Sequence, residues 1–152
     1  MIANYNLDTS TMKRTLFLVV FIVLPLFLSG CSNHVPLTGR VTYSDDDTPL
    51  EIGRVIFEPE TGTFHARGNI GADGRYKLAT NKPGDGLPPG KYRVYLTDTS
   101  QWISNNEART SVEVPFIESK FNSPDTSELV IDVKRSTRTF DFKVDRAPDS
   151  KK

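Results

Sequence analysis

After Cys31 the sequence shows strict two-residue alternation and no sustained helical period, and nothing else in the chain constrains its fold as much. Between residues 91 and 97, Tyr92, Val94 and Leu96 alternate with Lys91, Arg93, Tyr95 and Thr97. This is the pattern of a strand with one face in a core and the other in water. Seven segments read as strands: Leu37–Tyr43, Gly53–Glu58, Phe64–Ile70, Arg75–Thr80, Lys91–Asp98, Leu129–Val133 and Thr137–Asp145. Ten glycines and ten prolines punctuate them, as short strands joined by tight turns require. Asp73-Gly74 is expected to supply the positive φ angles of a hairpin between the third and fourth strands. Short strands at this spacing make an all-β sandwich. Its inward residues are expected to be Val41, Tyr43, Val55, Phe57, Tyr76, Leu78, Tyr92, Val94, Leu96, Leu129, Ile131, Val133, Phe140, Phe142 and Val144.

The first thirty residues have a different character. A basic pair, Lys13-Arg14, precedes an apolar run from Leu16 to Leu28, which ends in Ser29-Gly30 before the only cysteine, Cys31. At about 13 residues the run is shorter than the roughly 20 of a spanning helix, and the layout is that of a secretory signal peptide. Leu28-Ser29-Gly30-Cys31 resembles the lipobox of bacterial lipoproteins. The resemblance implies cleavage between Gly30 and Cys31, a lipid with fatty-acyl chains such as palmitate on the Cys31 thiol, and a cell-envelope location. Met12 makes a better signal start than Met1, because residues 1–11 are polar and include Asp8. The expected organisation is a signal-peptide helix over 1–30, a lipidated tether over 31–36, a sandwich over 37–145 and a disordered tail over 146–152. With so short a tether, the domain is expected to sit close to the bilayer.

Without residues 1–30 the chain keeps 122 residues, enough for one domain with a real core. Its 17 basic and 18 acidic residues leave a net charge of −1, so no strong field draws nucleic acid. With Cys31 carrying lipid, no thiol remains for a disulfide.

Several segments carry a family resemblance: Leu37-Thr38-Gly39-Arg40-Val41-Thr42-Tyr43, Gly53-Arg54-Val55-Ile56-Phe57, Asp73-Gly74-Arg75-Tyr76-Lys77-Leu78 and Pro89-Gly90-Lys91-Tyr92-Arg93-Val94. Together they are similar to a carboxypeptidase regulatory-like domain, which implies a seven-stranded, Greek-key, transthyretin-like β-sandwich. Lys120-Phe121 and Thr126-Ser127-Glu128-Leu129 also resemble small lipoproteins of planctomycete-type bacteria. These are turn and core signatures, and they assign no activity. Ser44-Asp45-Asp46-Asp47-Thr48 lengthens a turn that is usually tighter in the family.

The chemistry-bearing residues are sparse. His34, in the tether, and His65, in a strand, are the only histidines, and no catalytic set forms around them. The residues therefore read as a non-enzyme with no cofactor and no metal. Asp45-Asp46-Asp47 reads as a solvated turn, since consecutive aspartates aim apart while a Ca²⁺ loop needs alternate spacing. Between Thr99 and Glu128 the alternation weakens, except for a short edge strand at Ser111–Val114 that Pro115 stops. Trp102, the sole tryptophan, falls in this stretch near Asn105 and Asn106. An aromatic among amides can contact a partner protein or stack on a sugar ring; the competing reading has Trp102 plugging one end of the sandwich. The expected function is a structural or protein-interaction module of the envelope, anchored by lipid on Cys31. Because Ser32 follows the anchor, the periplasmic face of the outer membrane is expected. The alternative is a carbohydrate-binding module that engages an envelope polysaccharide.

Overall fold

Alternation becomes register in β5 (Gly90–Thr97), where Tyr92, Val94 and Leu96 are buried and the residues between them are not. The chain is described here from a computed structural model over residues 33–105 and 110–148. The signal segment, the Gly30–Cys31 junction, Asn106 and residues 149–152 lie outside the described residues. β5 pairs antiparallel with β2 (Arg54–Pro59) on one side and β8 (Leu129–Val133) on the other. β2 also pairs with β3 (Ala66–Asn69), so the four-stranded sheet runs β3-β2-β5-β8. A three-stranded sheet holds β1 (Thr38–Tyr43) between β4 (Arg75–Lys77), antiparallel, and β9 (Phe142–Val144), parallel.

The inner faces of the two sheets meet at Phe57. Its ring lies 6.1 Å from Tyr92 in its own sheet and 6.4 Å from Tyr76 across the core, with Phe140 edge-on at 5.9 Å. Tyr76 is buried, and its hydroxyl donates to the Phe140 carbonyl at 2.6 Å, which satisfies a polar group the core would otherwise strand. This contact explains Gly39, where a Cβ would stand 2.6 Å from the Tyr76 ring and 2.0 Å from the Phe140 oxygen. Among the described residues the core runs from Val35 onward, and residues 33–152 form a compact unit of their own.

Several sequence expectations need correction. Among the described residues the two larger sheets hold seven strands, and β6 (Ser100–Asn105) and β7 (Thr110–Pro115) add a hairpin in a stretch where only the edge strand at Ser111–Val114 was expected. β3 starts at Ala66, leaving His65 exposed in the loop before it. The Asp-Gly turn exists, but only Gly74 has positive φ (77°). Gly71 accepts from Gly74 and donates to Arg75, giving a three-residue loop with a glycine bulge in place of a two-residue turn. Beyond that turn, β3 and β4 join different sheets, and Arg67 of β3 bridges Ala79, two residues past the end of β4. Residues 137–141 are not strand: Asp141 Oδ1 accepts the Arg40 N–H at 2.7 Å, replacing a ladder bond before β9 begins. Leu129, Ile131 and Phe140 are only partly buried against the core.

Both domain ends extend further than expected. Val35 is buried and exchanges both backbone bonds with Leu87, so the residues from Val35 are packed chain and not free tether. At the other end Arg146 bridges Ile117, and Ala147 is buried and donates to the Phe116 carbonyl. The ordered domain therefore passes the expected limit at Asp145.

Candidate functional site

Hairpin β6–β7 stands apart from the sandwich: β6 and β7 hydrogen bond to each other and belong to neither larger sheet. The chain leaves β5 through Asp98, whose φ of 57° turns it out of the four-stranded sheet. Below the hairpin the structure is tied down. The Phe116 N–H donates to the Thr99 carbonyl at 2.9 Å, the buried Thr99 hydroxyl meets Asn122 at 3.1 Å, and Ile117 and Phe121 enter the core. A short 3-10 turn, Ser119–Asn122, carries Phe121 inward. The stretch from Thr99 to Glu128 is thus an anchored base carrying a two-stranded arm.

The arm exposes what a core would normally hide. Among the described residues the exposed large apolar side chains are Ile52, Trp102, Ile103, Val112 and Val130, three of them on this hairpin. Ile103 pairs with Val112, so these two share a face, while Trp102 pairs with Glu113 on the other. Trp102 is 68% exposed, which overturns the reading of it as a plug of the sandwich. The Asn105 backbone pairs with Thr110 at the hairpin's far end; Asn106 is not among the described residues. A two-stranded ribbon is marginally stable alone in water, and apolar side chains on both its faces suit a contact surface.

An ionic clamp lies near the arm's base. Arg146 reaches both oxygens of Asp45 (3.2 and 3.1 Å) and of Asp46 (3.0 and 2.9 Å), and its guanidinium lies 3.5 Å from the Tyr43 ring centre. Asp47, in the left-handed region with φ 61°, pairs with Lys143 at 2.5 Å. The three aspartates are exposed in a turn, as expected, and they also hold the C-terminal segment through partners about a hundred residues away in sequence. The Thr48 hydroxyl and amide, with Arg146 behind them, pull the Asp46 carboxyl down to about 2. Asp145 joins Ser44 to Lys120, which also meets Glu118 at 3.1 Å.

The two histidines are not brought together. His34 lies 3.5 Å from Asp85, while His65 is exposed before β3. Asp85 accepts from the amides of Thr80, Asn81 and Lys82 at 2.8–3.1 Å. Burial pushes its carboxyl up, but those three amides and His34 bring it to a net value below the usual range. Among the described residues no group of three His, Cys, Asp or Glu side chains could hold a metal ion. No helix among them is long and apolar enough to cross a membrane.

No family model matches the chain, and no curated protein matches it. Among solved structures it is similar to the major pilin subunit of Bacillus cereus, at 10% identity and a TM-score of 0.49 over 74% of this chain and 30% of that one. The group B streptococcus pilus 2b backbone protein matches at 13% identity and a TM-score of 0.42, over 76% of this chain and 42% of that one. A 9R-lipoxygenase from Cyanothece matches at 15% and 0.35, over 73% of this chain and 16% of that one. The chain spans less than half of each of these proteins, and likenesses of this degree assign it no activity.

Proposed function

We propose that this chain is a cell-envelope lipoprotein, held at the membrane by lipid on Cys31, whose non-catalytic β-sandwich docks another envelope protein through hairpin β6–β7. The reading rests on one observation: a ribbon outside both sheets that exposes Trp102, Ile103 and Val112. Burying those side chains against a partner would stabilise both the contact and the arm. In this reading the sandwich is a transthyretin-like scaffold of the carboxypeptidase regulatory-like kind, supported by the orders β4-β1-β9 and β3-β2-β5-β8. The site of action is the periplasmic face of the outer membrane. In-cell crosslinking of the tagged protein, with Trp102→Ala and Cys31→Ala controls, tests it. One envelope protein recovered with the parent chain and lost from both controls is the expected result; recovery unchanged by Trp102→Ala overturns the docking role of the arm.

A second reading is a carbohydrate-binding module, favoured by the exposure of Trp102, whose indole can stack on a sugar ring. Retardation of the chain in a gel holding soluble envelope polysaccharide, abolished by Trp102→Ala, would favour it over protein docking.

A further inference from the structure

The seam where β3 and β4 part into different sheets forms a groove of about 690 Å³, lined by residues that include Arg54, Arg67, Asn69, Lys77, Thr80 and Lys82. Arg67 and Lys77 project outward from facing strands, and Lys82 comes from the loop that Asp85 fixes through the amides of residues 80–82. No carboxylate lines the groove. Arg54 is neutralised at its edge by Asp98 at 3.4 Å. Elsewhere five basic side chains find acidic partners: Arg75 with Asp73, Arg93 with Glu58 and Asp125, Lys120 with Asp145, Lys143 with Asp47, Arg146 with Asp45 and Asp46. Of the described lysines and arginines, Arg67, Lys77, Lys82, Lys91 and Lys134 have no ion pair or side-chain hydrogen bond, and the first three share this groove. Like charges gathered on one face of neighbouring strands destabilise a sheet. Their collection here serves a ligand better than it serves the fold.

The groove also has a defined place relative to the start of the domain. Lys77 pairs with Thr38 at the first residue of β1, and His34 contacts Asp85 in the loop that carries Lys82. Two residues separate His34 from Cys31, and the three Cα–Cα steps of about 3.8 Å span at most about 11 Å. We propose that the groove is a phosphate-binding site that takes the headgroups of anionic lipids, giving the domain a second, electrostatic hold on the bilayer beside its anchor. The ligand chemistry is the phosphate oxyanion; the choice of a bilayer as its source rests on the anchored reading given above. An exposed cation near an anionic surface contributes enough that three together predict a preference on the order of a hundredfold for charged over zwitterionic vesicles, shrinking as salt screens it.

The test uses residues 33–152, which form a compact unit of their own and lack Cys31. Sedimentation is measured with phosphatidylglycerol-containing vesicles and with phosphatidylcholine alone, with inorganic phosphate as competitor. The expected result is binding to the charged vesicles, reduced at least tenfold in Arg67→Gln/Lys77→Gln/Lys82→Gln and retained in Lys91→Gln/Lys134→Gln, with circular dichroism showing both variants folded. Competition by phosphate would show that the groove recognises the group itself. Equal losses in the two variants would mean diffuse attraction and overturn the site; so would binding only to free phosphate, which would remove the bilayer as the source. Labelled fatty-acid incorporation at Cys31 of the full chain is scored separately, so a failed anchor leaves the groove result standing and a failed groove leaves the anchor result standing.

Discussion

Replacing Trp102 by alanine should leave the domain standing while removing its grip on a partner, and the two magnitudes separate cleanly. A tryptophan brings about 150–250 Å² of side-chain area; at 68% exposure roughly a third of that is covered. At about 25 cal/mol per Å² the covered part represents no more than about 2 kcal/mol, and a compact unfolded chain lowers that ceiling. Because the contacts lie on an arm outside both sheets, the global loss should stay below about 1 kcal/mol. A fully buried tryptophan would cost about 3–5 kcal/mol. Binding moves the other way: truncating an aromatic anchor at an interface removes about 2 kcal/mol or more, roughly 30-fold in Kd. Urea unfolding followed by far-UV circular dichroism gives the first number, since the variant has no tryptophan fluorescence to follow. Titration against the crosslinked partner gives the second. A stability loss near 4 kcal/mol would mean that Trp102 packs in the sandwich, and the arm would then not be an arm. Unchanged stability with unchanged affinity would refute the docking role alone.

Three further outcomes follow from the same structure. Phe57→Ala removes a ring that touches aromatics of both sheets and should cost about 3–5 kcal/mol, read as a lower urea midpoint. Asp85→Ala frees three backbone amides; it should cost about 2–3 kcal/mol and speed hydrogen exchange at Thr80, Asn81 and Lys82 before exchange rises elsewhere. Asp46 has a folded-state value depressed to about 2 from an ordinary 3.8, so its stabilising contribution is present above the ordinary value and disappears as pH falls through the depressed one. Removing the largest cause with Thr48→Val should move the Asp46 titration, followed by carboxyl-carbon NMR, back toward 3.8.

The sandwich was legible wherever period and burial coincide. β5 was foreseen because every second residue is apolar, and twelve of the fifteen expected inward residues are buried. Other core residues gave no periodic signal: Val35, Leu50, Leu87 and Ile117 lie in connections where single apolar side chains plug the sandwich. The arm was half visible. Ser111–Val114 alternates, but Trp102-Ile103 places two apolar residues side by side, which a one-faced strand does not do. They sit there because both faces of the ribbon are open. The Arg146 clamp could not be read at all, since its partners lie about a hundred residues away and only the parallel pairing of β1 with β9 brings them together.

That pairing also gives the domain a direction. β1 begins at Thr38, beside Lys77 and the Val35–Leu87 bridge, and ends at Tyr43 beneath the Arg146 guanidinium. Arg146 in turn bridges Ile117, two residues after the arm returns at Pro115. The six residues of β1, at about 3.3 Å each, therefore place roughly 20 Å between the end where the chain enters and the end where the hairpin leaves. Arg67 and Lys77, bonded beside Ala79 and Thr38, lie toward the entering end, while Arg54 at the groove's other edge meets Asp98 at the root of the arm, so the two proposed contacts adjoin without sharing a side chain. A partner bound through the arm should leave vesicle binding of the groove intact; mutual exclusion in a mixed sedimentation experiment would mean that one of the two surfaces has been misassigned.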